Sequence, residues 1–149
     1  MLDAAIDDGF EPRVRASFAR QRVMETIGAV LTRVDPGAVE IALPFRADLT
    51  QQHGFIHAGI VATILDSACG YAAFSLMPAD VAVLTVEYKI NLLRPAKGDR
   101  LVARARVVRP GKTLTVCAGD VVAHAGAENV VATMLATVMA VPQRDDLKQ

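Results

Sequence analysis

Residues 51–66 read QQHGFIHAGIVATILD, and this stretch decides the fold. It opens the most apolar helix candidate of the chain, which runs from about His57 to Met77 and ends before Pro78. A helix that is apolar nearly all round is normally enclosed by other elements rather than lying on a surface. The pattern therefore predicts a long buried helix that contains one carboxylate, Asp66.

Strand and turn signals surround this helix candidate. Apolar residues at roughly helical spacing predict an amphipathic helix over about residues 10–27. The turn Asp35-Pro36-Gly37 separates two strand candidates, 29–34 and 39–45, as in a hairpin. Four further strands are predicted at 81–93, 101–109, 113–124 and 130–141. These elements predict an α+β fold in which an antiparallel sheet wraps around one long central helix.

The third strand candidate, residues 81–93, alternates clearly. The alternation predicts one face with Ala82, Leu84, Val86, Tyr88, Ile90 and Leu92, and an opposite face with Thr85, Glu87, Lys89 and Asn91.

Composition limits the class of protein. The 149 residues suit a single domain, 1–149, with a core over about 28–141. The formal net charge of zero argues against nucleic acid and anionic membranes as partners. A hydrophobic content of 52% suggests that a second subunit covers some apolar surface. Two cysteines are too few for a disulfide framework, and no signal core follows the acidic N-terminus, so a cytoplasmic protein is expected.

A membrane helix over residues 58–77 is the competing interpretation of the apolar run. The run has the required length of about 20 residues. However, Asp66 lies near its middle and no Lys or Arg flanks it. We therefore expect no membrane span.

Asp66 admits a structural and a functional interpretation. It could lie at a sheet edge and pair with an arginine. Alternatively, a carboxylate desolvated by apolar neighbours has a raised pKa and can act as a general base or nucleophile.

The start of the same helix offers a second chemical feature. The backbone N–H groups of Ala58 and Gly59 lie where a helix leaves its donors unpaired, which suits an oxyanion hole. Ala58 and Asp66 are eight residues apart, about 12 Å along a helix. Both cannot touch one carbonyl group from the same helix, so a catalytic role for both predicts a dimer with shared sites.

The other polar motifs carry less chemistry. His53 and His57 could pair on a metal, but no cluster of further ligands accompanies them, so we expect no metal. His57 suits a hydrogen-bonding role at the helix N-terminus. The turn Arg109-Pro110-Gly111-Lys112-Thr113 lacks the upstream glycine and the following helix of a phosphate-binding loop, which leaves a hairpin turn that could touch substrate phosphates.

With these motifs in place, the sequence resembles the PaaI-type acyl-CoA thioesterases of the hotdog fold. The family pattern Asn-x-x-Gly-x-x-His-Gly-Gly, followed by Asp, corresponds to Gln51–Gly59 and Asp66. The later matches are the strand that leads into Leu92-Leu93-Arg94-Pro95-Ala96 and the turn Gly111-Lys112-Thr113. Two positions depart from the pattern, Gln51 in place of Asn and Ala58 in place of the first Gly.

The resemblance implies a hotdog-fold dimer, or dimer of dimers, that hydrolyses acyl-CoA without a cofactor. It implies that the amide of Ala58, with Gly59, polarises the thioester carbonyl, and that Asp66 of the other subunit activates water or attacks. Thr85 would orient the nucleophile, and His57 would lie near the sulfur. Gln51 would reach the thioester, and Arg109, Gly111, Lys112 and Thr113 would meet coenzyme A.

Two alternatives remain. A hotdog hydratase or dehydratase would use Asp48 or His53 instead of Asp66. A non-catalytic module would bind acyl-CoA without turnover.

Overall fold

A six-stranded antiparallel sheet wraps around one long helix in the computed structural model, which describes residues 8–149. The helices are α1 (Phe10–Arg20), α2 (Arg22–Ile27) and α3 (Ala58–Phe74), with a short 3-10 turn at Ala47–Leu49. The strands are β1 (Val30–Asp35), β2 (Ala38–Pro44), β3 (Val81–Leu92), β4 (Arg100–Arg109), β5 (Leu114–His124) and β6 (Glu128–Pro142). This confirms the predicted α+β fold.

Helix α3 is the core of the molecule. Eleven of its seventeen residues are buried, and they face β2, β3, β4, β5 and β6. The helix is enclosed because its small and branched apolar residues leave no polar face, as its sequence predicts. None of the helices in the described part of the chain is long and apolar enough to cross a membrane.

The strand order is β1-β2-β4-β5-β6-β3. Consecutive strands are therefore not always neighbours, since β3 pairs with β6 and β4 pairs with β2. The segment 93–99 crosses from one edge of the sheet to its middle instead of forming a hairpin. This crossing leaves β3 at an edge of the sheet.

A β-bulge at Val86 changes the faces of β3. Thr85 pairs with Val138, and Glu87 pairs with Thr137, so Val86 is the extra residue. Cross-strand partners point to the same face of a sheet, and Val138 is fully buried against the core. Thr85 therefore lies on the inner face.

The predicted faces of β3 were thus partly wrong. Tyr88, Ile90 and Leu92 pair with Ala136, Met134 and Ala132, which are buried, and they share the inner face with Thr85. Leu84 pairs with Met139 on the opposite face. The bulge shifts the alternation by one residue, and a strict period of two cannot accommodate it.

The N-terminal helix predicted over residues 10–27 is two helices. Gln21 separates them with an extended backbone, φ −79° and ψ 93°. Its side-chain carbonyl accepts a hydrogen bond from Ser67 of α3 at 3.1 Å, and Ser17 and Tyr71 form a second link at 3.3 Å between their hydroxyls. The break therefore fits α1 and α2 against α3.

The free edge of β3 is partly covered. Val83 N–H donates to Oε1 of Gln149 at 3.0 Å, and Nε2 of Gln143 donates to the Val81 carbonyl at 3.0 Å. Beyond these contacts the strand and the residue after it expose several large apolar side chains between polar ones. Between 43% and 53% of each of the following residues is exposed: Leu84, Val86, Tyr88, Leu92 and Leu93.

Candidate active site

Asp66 lies in the middle of α3 and is partly buried. Oγ1 of Thr85 donates a hydrogen bond to its Oδ1 at 2.8 Å. Burial raises the pKa of Asp66 above its ordinary value, and the Thr85 hydrogen bond opposes that rise. No cation within residues 8–149 neutralises it, which argues against the purely structural interpretation. A partly desolvated carboxylate with one oxygen fixed is suited to take a proton from water.

The start of α3 is capped by a histidine. Gly59 N–H donates to Nδ1 of His57 at 2.8 Å, so the neutral His57 ring carries its proton on Nε2. A Cβ added at Gly59 would lie 3.0 Å from this Nδ1, so a larger residue there would crowd the ring that caps the helix. The Gly59 amide is thus satisfied within the chain. The Ala58 amide has no acceptor among the described residues and is therefore an available donor.

The loop before α3 is tightly folded. Gly54 N–H donates to the Gln51 carbonyl at 3.0 Å, and Gly54 adopts φ +83°, a conformation that favours glycine. The side-chain oxygen of Gln51 accepts a hydrogen bond from His53 N–H. Gln51 also lines a cavity together with Ala58. Gln51, at the position where the family pattern has Asn, therefore borders the same cavity as Ala58.

An apolar cavity of about 440 Å³ opens beside Ala58. It is lined by Gln51, Phe55, Ile56, Ala58, Val61, Leu92, Leu93, Arg94, Pro95, Ala96 and Val131. Sequence reasoning missed most of these residues, because cavity walls come from three separate segments. An available signal was the match of Leu92-Leu93-Arg94-Pro95-Ala96 to the family pattern, which marks the segment that supplies five of the lining residues. A second cavity of about 340 Å³ lies on the outer face of the sheet, away from Ala58 and Asp66.

The two chemical features of α3 lie at different ends of the free edge. Leu92 lines the cavity beside Ala58, whereas Thr85 contacts Asp66. These two residues of β3 are seven apart, about 23 Å along a strand. Ala58 and Asp66 are themselves about 12 Å apart on α3. Within one chain the Ala58 amide and the Asp66 carboxylate therefore stay apart.

The basic turn between β4 and β5 is tight and exposed. A Cβ added at Gly111 would lie 2.0 Å from the Leu114 carbonyl oxygen, so only glycine fits. Arg109 and Lys112 are exposed, and the Thr113 carbonyl accepts from Ala140 N–H at 2.8 Å.

The register of the sheet locates this turn. Thr115, just after the turn, pairs with Val138, which pairs with Thr85. The basic turn therefore lies at the Asp66 end of the sheet and not at the Ala58 end.

The residues of the alternative mechanisms are poorly placed for catalysis. Oδ2 of Asp48 accepts from Nη2 of Arg46 at 2.7 Å, and this pairing lowers the pKa of Asp48. A carboxylate held ionised by a guanidinium is a weak base. His53 is exposed and bonds only within its own loop. Within residues 8–149, no group of three or more His, Cys, Asp and Glu side chains could hold a metal.

The cysteines are also unsuited to nucleophilic catalysis. Cys69 and Cys117 are free and buried. Burial raises the pKa of Cys117 to about 12 and raises that of Cys69 further. Neither thiol is ionised near neutral pH.

Comparisons with known proteins identify the family and the fold. Residues 53–129 match the family model "Thioesterase superfamily". A crystal structure of a thioesterase family protein from Silicibacter pomeroyi is 57% identical, with a TM-score of 0.89 over 91% of this chain and 100% of that chain. The PaaI protein of the Escherichia coli phenylacetic acid degradation operon shares the fold, with a TM-score of 0.80 over 92% of this chain and 96% of that chain at 21% identity.

A curated relative points in the same direction. A protein of Halobacterium salinarum that carries the name "Putative esterase VNG_1336C" is 34% identical over 119 residues, which is 76% of this chain and 78% of that protein. The expected resemblance is confirmed for family and fold, and it supports thioester hydrolysis as the class of activity. The chain belongs to the thioesterase superfamily and has the hotdog fold.

Proposed function

We propose that the chain hydrolyses acyl-CoA thioesters to a free acid and CoA, in a site shared by two copies. One observation carries the proposal, namely that a single helix holds both a base and a free donor. Asp66 is partly buried without a neutralising cation and accepts a hydrogen bond from Thr85. The same helix begins at Ala58, whose amide is unpaired and which lines an apolar cavity. A base, a carbonyl-binding donor and room for an acyl group are what thioester hydrolysis needs.

In the proposed step, the thioester carbonyl oxygen accepts a hydrogen bond from Ala58 N–H. Asp66 of the second copy takes a proton from a water molecule while the water oxygen attacks the carbonyl carbon. The tetrahedral intermediate collapses by breaking the carbon–sulfur bond, and the thiolate takes up the proton to leave as CoA. Direct attack by Asp66, followed by hydrolysis of the anhydride, reaches the same products.

The second copy is required by distance. About 12 Å separate Ala58 and Asp66 on one rigid helix, too far for one carbonyl group. The exposed apolar edge of β3 offers a surface for pairing, because an unpaired strand readily adds another strand.

The two half-sites also determine how the copies would pair. When β3 pairs antiparallel with its copy and the two-fold axis passes near Tyr88 and Lys89, Thr85 of one strand lies opposite Leu92 of the other. The Asp66 half-site of one copy then lies beside the Ala58 half-site of the other. The contacts of Gln143 and Gln149 cover residues 81–83 and leave 84–92 open, and the middle of that open stretch is Tyr88. The positions of the half-sites and of the open stretch favour the same axis.

The remaining predicted residues take positioning roles in this proposal. His57 holds the Gly59 amide and presents Nε2–H near the sulfur, and Gln51 borders the thioester. The turn of Arg109, Gly111, Lys112 and Thr113 belongs to the copy that supplies Asp66, and it would receive the phosphates of CoA. We expect the protein to be cytoplasmic, where acyl-CoA is found.

The test of the chemistry is Asp66→Asn. We expect turnover of an acyl-CoA substrate, measured by thiol release, to fall at least about a hundredfold. This is the scale of general-base catalysis. Asp120→Asn is the matched control, since Asp120 is exposed on the outer face of the sheet. Equal turnover of Asp66→Asn and wild type would refute the proposal. Saturable acyl-CoA binding without thiol release by wild type would favour the non-catalytic module.

The test of the shared site mixes two inactive variants. Ala58→Pro removes the amide donor at the first helical position, where proline is tolerated, and His57 already has the extended backbone (ψ 138°) that precedes proline. Co-expressed Ala58→Pro and Asp66→Asn chains would form mixed dimers with one intact site. We expect recovery of about a quarter of wild-type turnover, since half of the dimers are mixed and each has one of two sites. A mixture as inactive as its components would show that the site is not shared.

A further inference from the structure

We infer that the cavity beside Ala58 receives the acyl chain and selects uncharged, apolar acyl groups whose length is set by Val61. This inference rests on the proposed function and names the substrate class of that site.

The chemistry of the cavity wall supports an uncharged occupant. Nine of its eleven lining residues are apolar. Its base is formed by side chains that are almost fully buried, namely Ile56, Val61, Ala96 and Val131. A carboxylate brought to this base would lose its water and find no partner there, which is costly.

The single charged residue of the wall lies at its rim. Arg94 is exposed, and its Nη1 donates to the Val130 carbonyl at 2.8 Å. The backbone N–H groups of Leu93 and Arg94 both donate to the Val131 carbonyl, at 2.8 and 3.3 Å. These bonds hold the rim against β6, so the guanidinium stays at the entrance.

The direction of the chain follows from α3. Val61 comes three residues after Ala58, on the same side of the helix and about 4.5 Å further along it. Ala58, Val61 and Val131 line the same cavity, so an alkyl chain that enters it from a carbonyl at the Ala58 amide would pack against Val61 and Val131. The side chain at position 61 then limits how many methylene groups fit.

The first experiment compares octanoyl-CoA with the CoA monothioester of octanedioic acid, which has the same length and a terminal carboxylate. We expect kcat/KM for the charged substrate to be at least about tenfold lower. The ratio of kcat/KM between the two substrates should stay the same in Arg94→Met, because the end of the acyl chain lies away from the rim. Equal kcat/KM for the two substrates would overturn the inference and would place the chain end at Arg94.

The second experiment changes the base of the cavity. Val61→Ala should make the preferred straight-chain acyl group one or two carbons longer, and Val61→Leu should make it shorter. Each methylene group that gains or loses room in the cavity should change kcat/KM by roughly threefold to fourfold. Val121→Ala is the matched control, since Val121 is equally buried and does not line the cavity. An unchanged length preference in both folded Val61 variants would refute the role of this residue.

Failure of the proposed function would be visible separately. If wild type released no thiol from any acyl-CoA, hydrolysis would be refuted. Calorimetric binding of the octanoyl and octanedioyl thioesters to wild type would then decide the inference, which requires tighter binding of the uncharged one by at least about tenfold.

Discussion

The hydrogen bond from Thr85 to Asp66 makes a sharp prediction for the pH dependence of turnover. Thr85→Val keeps the shape of the side chain and removes the hydroxyl that donates at 2.8 Å. A hydrogen bond to a charged group contributes about 1.5–3 kcal/mol, and the lower end applies because Asp66 is partly exposed. Since about 1.4 kcal/mol corresponds to one pH unit, the acid limb of the profile should move up by roughly one unit.

The acid limb should move to higher pH because the Thr85 hydroxyl stabilises the ionised form of Asp66. Its bond to the ionised carboxylate opposes the effect of burial, which raises the pKa of Asp66. Without this hydrogen bond a higher pH is needed to ionise Asp66, so the acid limb of the pH profile moves to higher pH. On the plateau the carboxylate is still present, so kcat/KM should fall less than in Asp66→Asn.

The assay is thiol release from octanoyl-CoA across the acid and neutral range. Thr85→Ser restores the hydroxyl and should restore the wild-type limb. Thr137→Val removes an equivalent hydrogen bond, from Thr137 to Glu87 at 2.6 Å on the outer face, and should change nothing. A Thr85→Val profile that coincides with that of wild type would show that this hydroxyl does not act on the base.

Three further predictions concern stability. His57→Ala removes the cap of α3, at a cost of about 1 kcal/mol, and should lower Tm by roughly 2–4 °C; an unchanged melting curve would contradict it. Asp66→Asn should raise the free energy of unfolding at neutral pH, since burial makes the ionised carboxylate costly and the amide carries no charge. This gain should develop as pH rises from the ordinary aspartate pKa of 3.8 through the raised folded-state pKa, and it should disappear below pH 3.8. Urea titrations at acid and neutral pH measure the gain, and equal stability of variant and wild type at neutral pH would contradict it. Gly111→Ala should lower stability by more than about 1 kcal/mol, because its Cβ would meet the Leu114 carbonyl oxygen at 2.0 Å, and a wild-type denaturation midpoint would exclude that clash.

The parts of the fold that depend on local pattern could be predicted from the sequence. Helix α3 lacks a polar face, and this alone indicates that it is enclosed. Turn residues such as Asp35-Pro36-Gly37 locate the hairpin of β1 and β2. The spacing of Ala58 and Asp66 follows from helix geometry once the helix is known.

Other features depend on contacts between distant residues, and no local pattern shows them. The bulge at Val86 is invisible in the alternation, because valine suits either face of a strand. The placement of β3 beside β6 depends on pairing across some 50 residues, such as Glu87 with Thr137. The capture of the Gly59 amide by His57 depends on how one ring turns back over the helix start.

The strand order has a consequence for how the chain folds. The β4–β5–β6 meander is made of local pairings, but β2 must find β4 across nearly 60 residues, as in the pair Leu43 and Leu101. Because distant pairings slow folding, we expect the meander to form early and both outer pairings to follow. Until they do, the apolar helix α3 has only part of its covering sheet. The residence time of that intermediate, more than the stability of the finished fold, would then set how readily the chain aggregates during synthesis.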